Sequence, residues 1–392
     1  MARFQTLDDI GDVKGKRVLV RVDLNVPMSG GSVSDATRLD AMAPTVRELA
    51  DKGAIVLLLS HFGRPNGAKN PAMSLSLVVD AVAAAIGRPV MFIAECEGET
   101  AQRAAGMLTD GDVAILENTR FHAGEEKNDP ALAKAIAELG DLYVNDAFSA
   151  AHRAHASTEG LAHALPAYAG RSMEAELVAL EKALGSPEKP VAAVVGGAKV
   201  SSKLDVLRHL VARVDHLIIG GGMAFTFLKA KGMEIGNSLC EMDMLDFARG
   251  IEDHALSRGV KFYLPVDCVV AASREVGAET KIVPVQEIPK GWYALDIGPA
   301  SVKLFHEAVQ NAKTILWNGP MGVFEIDAYA RGTLAMAHAI ADAYALTIVG
   351  GGETALAVHR AGVSESMSFI STGGGAALEL LEGKTLPGLA AL

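Results

Sequence analysis

The fold prediction rests on the stretch from residue 191 to residue 204, Val-Ala-Ala-Val-Val-Gly-Gly-Ala-Lys-Val-Ser-Ser-Lys-Leu. Its first five residues are apolar and include three valines, which is typical of a strand buried on both faces. Two glycines follow, and a helical pattern begins near Ser202. A strand, a glycine loop and a helix in this order form the repeating unit of a parallel α/β sheet.

The same rhythm recurs in both directions along the chain. Short apolar runs predict strands at 17–22, 54–59, 90–93, 113–116 and 142–145, and again at 191–195, 216–219, 261–264, 314–317 and 346–349. Helical patterns separate them at 39–52, 76–86, 131–139, 202–211, 242–257 and 330–344. Two such series in 392 residues predict two doubly wound, Rossmann-like parallel-sheet domains.

The boundary between the two series has two interpretations. Residues 171–184 form a charged helical pattern, and the breaker cluster Gly-Ser-Pro-Glu-Lys-Pro follows at 185–190. This helix is either a hinge between the domains or the last helix of the first domain. We place the N-terminal domain at 1–170 and the C-terminal domain at 171–375.

Composition excludes several classes of protein. The net charge of −11 argues against a nucleic-acid partner or an anionic membrane. No run approaches the length of a membrane span, and residues 1–16 contain no signal-like apolar segment. Cys96, Cys240 and Cys268 are odd in number and form no CxxC pattern, so we expect reduced thiols. These features predict a cytoplasmic protein.

The loops after the predicted strands differ between the two halves. In the first half they carry arginine, at 21–27, 60–65, 117–121 and 151–155. In the second half they carry glycine, at 196–199, 220–222, 318–322, 350–354 and 373–375. Arginine forks recognise discrete phosphates and carboxylates, whereas glycine lets backbone N–H groups approach a polyphosphate. The two halves therefore suit two different anions, which suggests transfer of a group between them.

The standard nucleotide motifs are absent from the sequence. A Walker A loop ending at 383–385 would need glycine at position 378, which is Leu378. A dinucleotide fingerprint starting at Gly373 fails at the same residue, and one starting at Gly220 fails at Phe225. Residues 196–203 are the better phosphate candidate, because Lys199 and Lys203 are four residues apart and a helical turn places them on one face. Two solvated lysines are the alternative.

Several polar side chains in these loops are further candidates. Asp23 and Asn25 are two residues apart in an extended segment, so they face one side and suit a substrate hydroxyl. Glu353, at the start of a predicted helix, is either an N-terminal helix charge or a ligand for the magnesium of a nucleotide. The arginines that form a candidate anion clamp are Arg38, Arg64, Arg120 and Arg153. The histidines that are candidate hydrogen-bonding groups are His61, His152 and His155.

With these residues assembled, the sequence closely resembles the phosphoglycerate kinase family over essentially its whole length. The motifs, in chain order, are RVDLNVP at 21–27, SHFGRP at 60–65, ENTRF at 117–121, NDAFSAAHRAHAST at 145–158, GGAKVSSKL at 196–204, GGGMAFTFL at 220–228, WNGPMGVFE at 317–325, GGGET at 350–354 and STGGGA at 371–376. The resemblance implies a monomeric, bilobal, cytosolic enzyme of glycolysis. It would transfer a phosphoryl group reversibly between 1,3-bisphosphoglycerate and ADP, giving 3-phosphoglycerate and ATP, with Mg²⁺.

The resemblance also implies roles for individual residues. Those that would bind phosphoglycerate are Asp23, Leu24, Asn25, Arg38, His61, Phe62, Gly63, Arg64, Arg120 and Arg153. Those that would bind nucleotide are Lys203, Asn318, Glu325, Gly351, Gly352, Glu353 and Thr354, with Glu325 on the ribose and Glu353 on Mg²⁺. Those that would act in catalysis are Arg38, Lys199, Lys203 and Gly374. Residues 376–392 would cross back onto the first domain.

One residue departs from the family pattern. The family usually has aspartate in its GGDT loop, whereas this chain has Glu353.

Two alternative functions are weaker. The first is a dehydrogenase, which the failed dinucleotide fingerprint opposes. The second is a non-catalytic anion-binding protein, which is opposed because no catalytic residue is missing from the sequence.

Overall fold

The structure, a computed structural model, describes residues 4–392, which form two compact units. The first unit contains the chain up to Val178 together with Thr385–Leu392, and the second contains Ala179–Lys384. The division falls inside one helix, a few residues after the boundary predicted at residue 170.

The first unit is built on a six-stranded sheet. The strands of this unit are β1 (Arg17–Arg21), β2 (Met28–Ser29), β3 (Ser32–Val33), β4 (Ile55–Leu59), β5 (Met91–Ile93), β6 (Val113–Leu116), β7 (Leu142–Asn145) and β8 (Ala167–Ala169). β2 and β3 form a separate small hairpin, and the other six form the sheet. Its helices are α1 (Thr37–Asp51), α2 (Val79–Ile86), α3 (Gly98–Ala105), α4 (Pro130–Ala137) and α5 (Leu161–Ala164), followed by α6 (Arg171–Leu184), which continues into the second unit.

The sheet of the first unit is parallel throughout, in the order β5-β6-β4-β1-β7-β8. Both faces are covered, because Val56 and Leu58 of β4 pack into one core and Leu57 and Leu59 into another. Strand order reverses between β1 and β7. Ligands of such sheets bind at the carboxyl ends of the strands beside this reversal.

The second unit contains a parallel sheet and an antiparallel one. Its strands are β9 (Val191–Val195), β10 (His216–Ile219), β11 (Lys261–Tyr263), β12 (Asp267–Ala271), β13 (Thr280–Pro284), β14 (Tyr293–Ile297), β15 (Thr314–Asn318), β16 (Leu346–Gly350) and β17 (Phe369–Ile370). The remaining helices are α7 (Leu204–Val211), α8 (Met223–Ala230), α9 (Leu245–Ser257), α10 (Pro299–Gln310), α11 (Arg331–Ala341), α12 (Gly352–Arg360) and α13 (Gly375–Leu381), with α14 (Pro387–Ala390) in the first unit.

The parallel sheet of the second unit has the order β11-β10-β9-β15-β16-β17. This is the order of a Rossmann fold, and its reversal lies between β9 and β15. The two parallel sheets confirm the predicted fold class. The antiparallel sheet β13-β12-β14 is an addition that the sequence pattern did not predict. Most of β13 is exposed, so it lacks the apolar run by which the buried strands are recognised.

The C-terminal segment is divided between the units. Helix α13 packs on α7, so residues 376–384 belong to the second unit and not to the first as predicted. Gly388 belongs to the first unit, where its N–H donates to the Ala151 carbonyl at 2.9 Å and its own carbonyl accepts from Asn145 Nδ2 at 3.2 Å. None of the helices in residues 4–392 is both long enough and apolar enough to cross a membrane.

Candidate active site

A cluster centred on Arg38 lies at the strand reversal of the first unit. Arg38, in the first turn of α1, donates from NH1 to Asp23 Oδ1 at 3.2 Å and to the Asn25 carbonyl at 2.8 Å. Asp23 Oδ2 accepts from the Ser149 hydroxyl in the loop after β7. Asn25 Oδ1 accepts from the Gly63 N–H at 2.9 Å. Arg38 therefore contacts the loop after β1 directly, and that loop is hydrogen-bonded to the loops after β4 and β7.

Arg120 lies beside this cluster and is held rigidly. Its side chain is buried, and NH1 donates to the Gly63 carbonyl at 2.9 Å while Nε lies 3.3 Å from Glu126 Oε1. Burial lowers the pKa of this guanidinium. Arg153, half-buried, donates to His152 Nε2 at 3.1 Å, and Arg64 is exposed. The predicted arginines therefore differ in how firmly the protein holds them.

Two predicted contact residues have buried side chains. Leu24 and Phe62 pack into the core beneath the cluster. Their backbone groups are also engaged, because the Leu24 N–H donates to Ser60 Oγ at 2.9 Å and the Phe62 carbonyl accepts from Asn118 Nδ2 at 2.7 Å. The side chains of Leu24 and Phe62 therefore position the loops, and any contact of these two residues with a substrate would involve their backbone.

The hydrogen bonds of Arg21 define the state of His61. Arg21 is 1% exposed, and its Nε donates to Ser157 Oγ at 3.0 Å. Its NH2 lies 3.0 Å from His61 Nδ1. A guanidinium can only donate, so Nδ1 must accept, and the proton of a neutral imidazole is then on Nε2. Burial, followed by the charges of Arg21, Arg120 and Arg153, holds the pKa of His61 well below its usual value.

In the second unit the loops after β9 and β15 lie against each other. The Gly196 N–H donates to the Asn318 carbonyl at 2.9 Å, and the Gly197 N–H donates to the Pro320 carbonyl at 3.0 Å. A Cβ at Gly196 would collide with the carbonyl oxygens of Gly319 and Pro320. Glycine is therefore required here because two backbones meet at the point of strand reversal.

Lys199 and Lys203 do not share a helical face, contrary to the prediction from their spacing. Residues 196–200 form a loop in which Gly197 has φ +111°, a 3₁₀ turn follows at Ser201–Lys203, and α7 begins only at Leu204. Lys199 is exposed on the loop, whereas Lys203 is half-buried. Desolvation lowers the pKa of Lys203, and the charge of Glu353 acts in the opposite direction.

Asn318 links the predicted nucleotide loops. Its Oδ1 accepts from Lys203 Nζ, and its Nδ2 donates to the Gly350 carbonyl at 2.8 Å. The loop after β15 is also tied to α12, since the Gly319 N–H donates to the buried Thr354 hydroxyl at 2.7 Å. The strand ends of β15 and β16 thus hold one lysine and the start of α12 in a fixed arrangement.

Glu353 lies exposed in the first turn of α12, one residue after Gly352. Gly351 precedes the helix with φ +92°, a conformation that favours glycine. Gly374, with φ +51°, precedes α13 in a similar way. The glycines at 351 and 374 therefore each directly precede a helix, α12 and α13 respectively, as predicted.

A cavity of about 310 Å³ lies beside these loops in the second unit. Glu325 and Glu353 line it, together with glycine backbone from the loops after β9 and β10 and apolar side chains that include Phe225, Leu239 and Leu295. An apolar cavity lined by carboxylates and glycine loops has the character of a nucleotide site.

Some functional candidates escaped sequence reasoning. Arg21 opens the RVDLNVP motif, but the sequence predicts no role for it. The signal was present, because an arginine at the end of a strand buried on both faces needs partners inside the protein. Ser149, which accompanies Asp23, and Arg274, which lines the cavity, carry no comparable signal in their neighbouring residues.

The fold and these two sites define an α/β phosphotransferase, with an arginine cluster on one unit and a glycine-loop cavity on the other. The model of the family described as "Phosphoglycerate kinase" matches residues 7–384. A phosphoglycerate kinase of Rhizorhabdus wittichii is 60% identical over 393 residues, covering 99% of each chain. One of Zymomonas mobilis is 58% identical, also over 99% of each. A solved phosphoglycerate kinase structure from Coxiella burnetii has TM-score 0.90 at 39% identity, covering 99% of this chain and 98% of that one.

The chain belongs to the phosphoglycerate kinase family. Reversible phosphoryl transfer between 1,3-bisphosphoglycerate and ADP, giving 3-phosphoglycerate and ATP in glycolysis, is the activity of that family. The resemblance seen in the sequence motifs is confirmed.

Proposed function

We propose that the first unit binds the phosphoglycerate and the second binds the nucleotide in this reaction. The observation that carries the proposal is the cluster at one strand reversal, where the loop bound by Arg38 is hydrogen-bonded to two further strand-end loops, together with a glycine-lined cavity at the other. Arg38, Arg64, Arg120 and Arg153 would hold the anionic groups of phosphoglycerate. Asp23 and Asn25, which accept and donate hydrogen bonds, suit its hydroxyl group.

His61 adds a directed donor to the phosphoglycerate site. With Nδ1 accepting from Arg21, the neutral ring has an N–H at Nε2 that can donate to a carboxylate or hydroxyl oxygen. A neutral ring adds no further charge to a cluster that already holds several guanidinium groups.

The nucleotide would occupy the cavity with its phosphates toward the glycine loops. Glu325 would accept hydrogen bonds from the ribose hydroxyls, and Lys203 would contact a phosphate. Backbone N–H groups of Gly351 and Gly352, at the N-terminus of α12, favour negative charge. Lys199, exposed on its flexible stem, would reach a phosphate once the nucleotide is bound.

Magnesium fits the chemistry of Glu353. Mg²⁺ commonly binds one or two protein carboxylates plus substrate phosphates and waters, and Glu353 is an exposed carboxylate at the cavity. Within residues 4–392 no cluster of three or more His, Cys, Asp or Glu side chains could form a cage of its own. Bound in this way, the ion would neutralise charge on the phosphates during transfer.

The reaction needs little proton chemistry from the protein. The acceptor in the ATP-consuming direction is a carboxylate, already ionised at neutral pH, so no general base is required. What remains is to position the reactants and to stabilise the charge of the transferring phosphoryl group. Arg38 and Lys203, one from each unit, are the side chains we assign to that task, with the backbone at Gly374.

A coupled assay tests the proposal. Purified protein with ATP, Mg²⁺ and 3-phosphoglycerate is expected to form the acyl phosphate, detected by a dehydrogenase that consumes NADH. Folded protein that shows no turnover under these conditions would contradict it.

We further propose that the protein works as a cytoplasmic monomer whose units close on each other during the reaction. Two substrates held on separate units require such a motion, and closure would keep water from the acyl phosphate. Light scattering is expected to give a mass near 40.9 kDa. A dimer mass would refute the monomer assignment.

A further inference from the structure

A buried carboxylate lies behind the arginine cluster of the first unit, and the proposed function gives it no role. Glu125 is 0% exposed and lies in the segment between the 3₁₀ turn Thr119–Phe121 and α4. A carboxylate removed from water is costly unless hydrogen-bond donors and a positive charge compensate it. The partners of Glu125 therefore indicate what its charge does.

Ser157 supplies two of the donors to Glu125. Its hydroxyl donates to Glu125 Oε1 at 2.5 Å, and its backbone N–H donates to Oε2 at 3.0 Å. Ser157 belongs to the helical turn Ala156–Gly160 and is 0% exposed. The Ala156 N–H also donates to the Glu125 carbonyl at 3.0 Å. Both the side chain and the backbone of Glu125 are therefore fixed against this turn.

The direction of each hydrogen bond in this network follows from the donors. Arg21 Nε can only donate, so Ser157 Oγ, 3.0 Å away, must accept from it. The single hydroxyl proton of Ser157 is then donated to the Glu125 carboxylate. On its other side Arg21 donates from NH2 to His61 Nδ1 at 3.0 Å. Arg21 thus donates in one direction to His61 and in the other, through Ser157, toward Glu125.

Glu125 also supplies the negative charge that the buried Arg21 needs. The hydroxyl, carbonyl and imidazole groups that Arg21 binds are all neutral. His155 Nδ1 lies 4.0 Å from Glu125 Oε1, but burial and the neighbouring arginine charges lower the pKa of His155 to about 4. His155 is therefore neutral at pH 7 and does not compensate the carboxylate. A guanidinium buried without a counter-charge is costly, and Ser157 connects Arg21 to the carboxylate that provides one.

We infer that Glu125 is a positioning residue for phosphoglycerate binding, which acts through Ser157 to orient Arg21 and thereby fixes the His61 ring with its proton on Nε2. The inference rests on the proposed phosphoglycerate site and adds to it a residue that does not touch the substrate. Without the carboxylate, the Ser157 hydroxyl has no acceptor for its proton and can turn that proton toward Arg21. Arg21 would then lose its fixed orientation, and His61 would lose the donor that determines its tautomer.

Two conservative variants interrupt the network at different points. Ser157→Ala removes the link between Arg21 and Glu125, and Glu125→Gln replaces the carboxylate by an amide of the same shape. Both are expected to weaken 3-phosphoglycerate binding by about five- to tenfold in calorimetry, the range of one misdirected hydrogen bond. The KM for 3-phosphoglycerate should rise by the same factor. In contrast, kcat should change little and the affinity for ADP should stay as in the wild type.

Nitrogen NMR of His61 separates positioning from a general loss of stability. In the wild type the ring should show one neutral tautomer, with the proton on Nε2. In Ser157→Ala and Glu125→Gln the tautomer protonated on Nδ1 should appear as well, because Nδ1 no longer has a fixed donor. The His61 signals are identified by their absence from the spectrum of His61→Gln.

Tyr143→Phe is the matched control. The buried Tyr143 hydroxyl donates to the Ser157 carbonyl at 3.0 Å, but it is not part of the path between Glu125 and Arg21. Tyr143→Phe removes one buried hydrogen bond from the same turn, so it should lower the melting temperature about as much as Ser157→Ala. It should leave the His61 tautomer and the affinity for 3-phosphoglycerate unchanged.

The outcomes are distinguishable from failure of the proposed function. If wild-type protein does not bind 3-phosphoglycerate, both the phosphoglycerate site and this inference are wrong. If wild-type protein binds it, and Ser157→Ala and Glu125→Gln keep both the single Nε2 tautomer and the wild-type affinity, only the inference is overturned. Equal losses of affinity in Tyr143→Phe and Ser157→Ala, with the tautomer unchanged, would also overturn it, because the effect would then come from fold stability.

Discussion

Replacement of Arg38 by alanine separates catalysis from binding in the first unit. If Arg38 stabilises charge on the transferring phosphoryl group, Arg38→Ala should lower kcat by about 10³-fold or more. Its effect on the affinity for 3-phosphoglycerate should be smaller, since Arg64, Arg120 and Arg153 remain. Steady-state kinetics in the coupled assay, with calorimetry for binding, measures both.

The structure shows why lost stability would not explain such an effect. Arg38 and Asp23 form an ion pair at 3.1 Å, with side chains 37% and 12% exposed. A pair this accessible contributes about 1 kcal/mol or less to folding. Asp23 would also keep its hydrogen bonds from Ser149 and from the Asn25 N–H. A 10³-fold loss of rate corresponds to about 4 kcal/mol, which is well above this limit.

Arg17→Ala provides a matched control. Arg17 pairs with Asp141 at 3.2 Å with side chains 33% and 44% exposed, but it lies at the opposite end of β1 from the cluster. It should lower the melting temperature about as much as Arg38→Ala and leave kcat unchanged. A near-normal kcat with only a raised KM in Arg38→Ala would refute the catalytic assignment and leave Arg38 as a binding residue.

Three other predictions concern single groups. Glu353→Gln should weaken binding of Mg²⁺–ADP far more than binding of free ADP, while Glu353→Asp should retain substantial activity; an unchanged Mg²⁺ dependence in Glu353→Gln would leave Glu353 as a helix charge only. Burial raises the pKa of Asp146 to about 7, so its protonated form stabilises the fold below about pH 4 and this stabilisation is lost as the pH rises through 7. In urea unfolding, the free energy of unfolding of the wild type should therefore be lower at pH 8 than at pH 5 by about a few kcal/mol. Asp146→Asn should reduce this difference, and an equal difference in both proteins would contradict the prediction. Nitrogen NMR should find the His61 proton on Nε2 at neutral pH, and a protonated Nδ1 would contradict the hydrogen bond from Arg21.

Much of the fold could be predicted because its strands are buried on both faces. Residues 55–59 and 191–195 are continuous apolar runs, and burial in a parallel sheet requires such runs. The antiparallel sheet is outside the prediction: β13 is mostly exposed and lacks an apolar run, whereas β12 and β14 are mostly buried but do not belong to the alternating strand–helix series on which the prediction rests. The prediction ends the second domain at residue 375, whereas the second unit extends to Lys384. This difference arises because α13 packs on α7, a contact between segments far apart in the sequence.

The candidate site was predictable at the level of loops and not of geometry. Motifs indicated which loops carry arginine and which carry glycine. The spacing of Lys199 and Lys203 suggests a shared helical face, but Lys203 itself has a non-helical φ of −129° and α7 begins only at Leu204. The tautomer of His61 was beyond sequence reasoning, because it follows from Arg21, forty residues away in the chain.

The division of the substrates between the two units is the central claim, and calorimetry on two variants tests it most directly. Arg64→Ala should weaken 3-phosphoglycerate binding and leave ADP binding nearly unchanged. Lys203→Ala should weaken ADP binding and leave 3-phosphoglycerate binding nearly unchanged. If both variants lose affinity for the same ligand, the assignment of one substrate to each unit is wrong.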